Sequence, residues 1–121
     1  MLFPESRLRI WLYNQPCDMR KSYDGLSALV KNRLRENPLS GELFVFINRK
    51  RTQMKILYFD RSGYCIWSKR LEQGRFQSQA GSEEKRRLEW TDLQLILEGI
   101  DLRSVRHFKR YRHPIQTPVE V

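Results

Sequence analysis

The chain has 121 residues, 23 of them Lys or Arg and 14 Asp or Glu, for a formal net charge of +9. That length holds one ordinary domain, and a chain of this size buries about two-thirds of the surface it exposes unfolded, so neither disulfides nor a metal is required to hold it. A hydrophobic fraction of 40% argues against disorder. No apolar run approaches the roughly 18 residues of a membrane span, and MLFPESRLRI, with Glu5, lacks a signal peptide's apolar stretch. The expectation is a soluble, intracellular, basic domain.

The predicted elements follow in chain order. Leu8 to Tyr13 alternates and is rich in β-favouring residues, which predicts a first strand. Asn14-Gln15-Pro16-Cys17 breaks it, and Asp18 is placed to cap a helix. Met19, Tyr23, Leu26, Val30 and Leu34 then form one apolar stripe on a helix of about five turns. Asn37-Pro38 ends that helix. Leu43–Ile47 and Ile56–Phe59 are apolar at every position, which predicts strands covered on both faces. The polar connection between them has Arg49-Lys50-Arg51 at its tip and reads as a hairpin.

Asp60-Arg61-Ser62-Gly63 is a tight-turn sequence, with Gly expected to supply the positive φ. A strand from Tyr64 to Leu71 follows it. Arg75-Phe76-Gln77 is a candidate further strand, Ser78 to Arg87 the expected surface loop, and Leu88-Glu89-Trp90 another short strand. Thr91 then caps a helix through Leu93, Ile96 and Ile100. The expected fold is a single α+β domain: an antiparallel sheet of about four to six strands with two helices, in the order β-α-β-β-β-(β)-α. Residues 1–103 form that domain, and residues 104–121 a basic, partly flexible tail.

Charge is unevenly placed along the chain. Residues 1–48 carry +2 and residues 49–121 carry +7. Arg103, Arg106, Lys109, Arg110 and Arg112 form an acid-free stretch interleaved with Val105, Phe108 and Tyr111. Such a stretch suits a polyanion, since cations neutralise phosphates and release counterions while aromatics stack on bases. Arg20 and Lys21, near the predicted helix start, and Lys69-Arg70, at a strand end, extend the set. The candidate DNA-binding residues are therefore Arg20, Lys21, Arg49, Lys50, Arg51, Lys69, Arg70, Arg103, Arg106, Lys109, Arg110 and Arg112.

Catalytic chemistry has little to build on. Cys17 and Cys65 form no CxxC, and His107 and His113 have no carboxylate between Asp101 and Glu120 to partner them. No phosphate-binding loop, nucleophile elbow or zinc helix motif occurs. The one loose match is Asp60 followed by Glu83-x-Lys85, which resembles the acid…acid-x-Lys spacing of a metal-dependent nuclease class. No cofactor, metal or catalytic residue is expected.

The blocks PCDMRKSYDGLSALV, NPLSGELFVFINRKRTQMKILYFDRSGYCIWSKRLEQGRF and LQLILEGIDLR occur here in that order. They resemble the TnpB accessory proteins encoded by the second open reading frame of IS66-type insertion sequences, over about residues 8–103. The family's blocks fall on Asp18 to Lys21, Asp24-Gly25, Ser40-Gly41, Phe44 to Phe46, Lys55 to Tyr58, Asp60, Trp67, Lys69-Arg70, Gly74 to Phe76 and Glu98 to Asp101. Where this chain has Cys17, such proteins commonly have Thr. The unrelated RNA-guided nuclease that shares the name TnpB has a carboxylate triad and a length both missing here. The resemblance implies a non-enzymatic bacterial protein that assists transposition, cytoplasmic and nucleoid-associated if DNA-bound. Its partners would be DNA, at transposon ends or non-specifically, and the transposase or other element-encoded proteins; an adaptor that touches only the transposase is the alternative.

Overall fold

Five strands and two helices make up the described part of the computed structural model, residues 8–77 and 83–99. The strands are β1 (Ile10–Tyr13), β2 (Leu43–Ile47), β3 (Gln53–Asp60), β4 (Gly63–Arg70) and β5 (Lys85–Leu88). Helix α1 (Tyr23–Leu29) runs on into a π-helical turn, Val30–Leu34, and α2 spans Trp90–Leu97. The sheet order is β4-β3-β2-β1-β5. The α+β class and the element order are as the sequence predicts.

One pairing differs from the expected antiparallel sheet. β1 and β2 are parallel, with Ile10 opposite Leu43 and Leu12 opposite Val45, while the other three pairs are antiparallel. The long connection containing α1 returns the chain to the starting end of β1, which makes β1-α1-β2 a crossover unit. The sheet is therefore mixed, with β1 inserted between β2 and β5.

The helices cover opposite faces. On one face Leu12, Val45 and Ile56 pack with Leu93 and Ile96 of α2. On the other, Phe44, Phe46 and Leu57 pack with Leu26, Val30 and Leu34 of the α1 region. Every residue of β2 is buried, as its unbroken apolar run predicts. The α1 stripe is narrower than its spacing suggests, because Tyr23 is 48% exposed. Leu26, Val30 and Leu34 recur every fourth residue, and on an α-helix each such step drifts about 40° around the axis. The wider π turn counters that drift and keeps Leu34 under the sheet. Arg35, with φ 59°, then ends the helix ahead of Asn37-Pro38.

Other boundaries also shift. Asp18 does not cap α1, which starts at Tyr23; its carboxylate is spent on Arg20 instead. Arg75-Phe76-Gln77 is not a strand, yet Phe76 is fully buried and its N–H donates to the Arg51 carbonyl at 2.7 Å. β5 (Lys85–Leu88) takes Lys85 to Arg87 from the expected loop and keeps only Leu88 of the expected short strand, whose Trp90 instead opens α2. A charged strand at a sheet edge is a familiar guard against further pairing. Asp92, not Thr91, secures the α2 start by accepting the Glu89 N–H at 3.0 Å. In the turn after β3 the positive φ belongs to Arg61, and Gly63 pairs with Asp60 inside the hairpin. The remainder of the expected loop (78–82), Ile100 of the expected helix and the tail (104–121) lie outside the described residues.

Replacing Leu26, fully buried, with Ala should cost about 2–5 kcal/mol. Leu39→Ala, at a residue 55% exposed, should stay within about 0.5 kcal/mol. Urea unfolding of both variants checks the pair. Cys17 is 5% exposed, and burial pushes its thiol up to about 11. Iodoacetamide at pH 8 should leave Cys17 unmodified in the native protein and label it on unfolding, read by peptide mass.

Candidate nucleic-acid interface

Register decides which basic residues meet. Tyr13 lies opposite Lys85, Ile47 opposite Met54, and Gln53 opposite Arg70. The ends of β1, β2 and β4 and the starts of β3 and β5 therefore share one edge of the sheet. It is the carboxyl end of the parallel pair, where open α/β sheets characteristically place their ligand loops. Three of the predicted basic groups arrive here: Arg20-Lys21 on the loop after β1, Arg49-Lys50-Arg51 between β2 and β3, and Lys69-Arg70 at the end of β4.

Each loop is tied down by its own sequence. Cys17 N–H donates to the Ile47 carbonyl at 2.9 Å, which joins the β1 loop to the end of β2. Asn48 organises the β2–β3 turn: its Oδ1 accepts from Thr52 N–H at 2.9 Å and Gln53 N–H at 3.0 Å. Arg51, at φ 62°, turns the chain in the left-handed region. The stretch after β4 is stitched to the same turn, with Leu71 N–H on the Thr52 carbonyl and Phe76 N–H on the Arg51 carbonyl. Arg75, which is not among the predicted DNA-binding residues, is thereby brought to this edge too; in the sequence it stood out only as part of the family block Gly74 to Phe76 and of a candidate strand.

The cations are not equivalent. Arg49 and Lys50 are exposed, Arg51 is half-buried, and none of the three has an ion pair among the described residues. Lys21 and Arg75 are likewise exposed and without an ion pair there. Arg20 is gripped by Asp18, its Nη2 2.7 Å from Oδ2, while its side chain stays 90% exposed. The guanidinium and main-chain N–H of Arg20 hold the Asp18 carboxyl down at about 2. Arg70 pairs with Glu72 at 3.1 Å. Lys69 is half-buried and donates to the Leu97 carbonyl at 2.9 Å, closing the end of α2. Lysines 55 and 85 are also turned inward: Lys55 Nζ donates to the Met19 and Lys21 carbonyls, and Lys85 pairs with Glu36 and sits 4.6 Å over the Trp11 ring.

Arg103, Arg106, Lys109, Arg110 and Arg112 lie outside the described residues. The described chain ends at Gly99, where φ is 76° and a Cβ would stand 3.4 Å from the Arg75 carbonyl oxygen. That point is on the same edge, and the acid-free basic stretch follows it in sequence.

The nuclease constellation does not assemble. Asp60 ends β3 at the opposite edge, while Glu83 and Lys85 lie at the basic edge, on the far side of β1 and β2. Among the described residues no group of three or more His, Cys, Asp or Glu side chains is placed to hold a metal ion. A cleft of about 500 Å³ beside Arg33, Arg35 and Glu84 is walled by the Arg33–Glu84 ion pair, 2.7 Å long, so that carboxylate is already engaged. No described helix is long and apolar enough to cross a membrane.

The family model of IS66 Orf2-like proteins matches residues 8–107. The uncharacterized protein y4hO of Sinorhizobium fredii is 32% identical, over 97% of this chain and 94% of its own length. The uncharacterized protein y4jC of the same bacterium is 31% identical, over 100% of this chain and 99% of its own. No solved structure matches the chain significantly. A family match across nearly the whole domain, with relatives aligned almost end to end, places this chain in the TnpB family of IS66 elements, the IS66 Orf2-like accessory proteins.

Proposed function

We propose that this chain assists IS66 transposition without catalysis, by binding DNA through the basic edge of its sheet. The observation that supports this reading is the meeting of cations distant in sequence on one strand-end edge. Lys21, Arg49, Lys50, Arg51 and Arg75 are the members whose side chains have neither an ion pair nor a hydrogen bond among the described residues, whereas Lys69 is held by the Leu97 carbonyl. Charges gathered on one edge act together on a phosphate backbone, whereas the same number spread over the surface serve solubility. Arg103, Arg106, Lys109, Arg110 and Arg112 would extend this surface beyond Gly99. Nucleoid association follows from the same reading.

The transposase is the second proposed partner. A basic edge that holds DNA also presents complementary charge to an acidic protein surface. A pull-down of the transposase in the absence of DNA separates the two.

If five phosphates are neutralised, log K should fall with log salt at a slope of about −4.5. Replacing Arg49, Lys50 and Arg51 together with Ala should make that slope shallower by about 2.7, for element-end and unrelated duplexes alike. Fluorescence anisotropy across a salt series measures both. Absence of binding to either duplex at low salt would overturn the DNA reading, and transposase capture without DNA would then favour the adaptor.

A further inference from the structure

The loop between β1 and α1 is held from three directions, and none of the three contacts is needed merely to connect a strand to a helix. From the sheet, Lys55 reaches up and donates its ammonium to the Met19 and Lys21 carbonyl oxygens, both at 2.7 Å. Lys55 is a half-buried cation that has Phe46 opposite it on β2 and Ser68 on β4, and is next but one to the fully buried Leu57. Charge-assisted bonds of this kind are stronger than neutral ones, and both are given to loop main chain. Within the loop, Asp18 accepts the Arg20 N–H at 2.9 Å and grips the same residue's guanidinium through Nε and Nη2.

The third contact comes from the helix. A Cβ at Gly25, in the first turn of α1, would stand 3.2 Å from both Cβ and Cγ of Lys21. The Lys21 stem therefore lies across α1 where the helix has no side chain. The position of Lys21 Cβ is set by the loop main chain, so crowding there cannot be relieved by swinging the far end of the lysine. The loop itself must give by a few tenths of an ångström. What this fixed loop presents is an arginine side chain 90% exposed and an exposed lysine.

We infer that Asp18–Lys21 is a preset clip for a phosphodiester of a polynucleotide, with Arg20 and Lys21 as its contacting cations and Asp18, Gly25 and Lys55 as positioning residues. The inference rests on the DNA-binding reading above and deepens it. With Nε and Nη2 turned to Asp18, the Arg20 guanidinium keeps further N–H donors for a phosphate oxygen. A loop ordered before the ligand arrives loses less freedom on binding, so its two charges act more effectively than equally charged flexible residues.

Gly25 gives the sharpest test, because its two roles pull in opposite directions. Helix propensity favours alanine over glycine, while the crowding against Lys21 opposes it, so the melting temperature by itself does not report on binding. A Cβ that displaces Lys21 should nevertheless weaken binding. The experiment measures the full chain against a fluorescein-labelled duplex of unrelated sequence, for the wild type, Arg20→Ala, Lys21→Ala, Gly25→Ala, Lys55→Met and the Gly25→Ala/Lys21→Ala pair. Gly25→Ala should bind about threefold to tenfold more weakly, with a salt slope shallower by about 0.9. On top of Lys21→Ala, where the crowded Cβ remains but the ammonium is gone, it should add less than its full effect. Arg20→Ala and Lys55→Met should weaken binding to a similar degree. A wild-type chain that binds no duplex overturns both the DNA reading and the clip. A wild type that binds overturns the clip alone if Arg20→Ala leaves affinity and slope unchanged, or if Gly25→Ala adds its full effect to Lys21→Ala. Arg20 is so exposed that its variant decides the matter even where another variant fails to fold.

Discussion

Strand β2 is apolar at all five positions and paired on both sides, so each of its faces needs its own cover. That requirement organises the molecule. One helix cannot shield both faces, and the chain meets the demand with α1 on one side and α2 on the other. To place α1 there, the chain must leave β1, cross the sheet and re-enter in the same direction, which makes β1 and β2 parallel. The parallel pair in turn puts the loop after β1 and the turn after β2 on a single edge. The basic edge is thus a by-product of burying five apolar residues.

The basic residues divide the labour within this frame. Lys55, Lys69 and Lys85 turn their ammonium groups onto carbonyls, a carboxylate or an aromatic ring, and hold elements together. Their long stems cover apolar surface while the charge finds a partner, the usual compromise for a half-buried lysine. The turn cations Arg49 and Lys50 face water instead. Counting basic residues along the chain cannot separate these two uses. The separation depends on which face of a strand a residue occupies, and period-two alternation shows that only once the register is known.

Much of the fold was legible from local pattern. The unbroken apolar runs of β2 and β3, the turn residues at Asp60 to Gly63 and the stripe through Leu26, Val30 and Leu34 all mark their elements. What escaped was non-local or was masked by charge. Nothing in IWLY states that its neighbours are β2 and β5. The first three residues of β5 read as a loop because all are basic, and at an edge they need no apolar alternation. Lys55 lay just outside the expected strand Ile56–Phe59, and its partners, the carbonyls of Met19 and Lys21, belong to a segment far back in the sequence. Asp18 carried a strong helix-cap signal, and it was overridden by a closer and charged competitor, Arg20.

Arg51 occupies the left-handed region at the tip of the β2–β3 turn, a conformation that glycine or asparagine adopts more cheaply. For another L-residue it costs about 1–2 kcal/mol, a noticeable share of the roughly 5–15 kcal/mol that holds a typical domain folded. A sequence selected for thermal stability alone has an easy improvement open at this position. The guanidinium it would forfeit stands on the edge where the other cations gather, so the strained turn exchanges some durability for charge, and a consensus-style stabilisation of this chain would begin by removing the feature most tied to its proposed work.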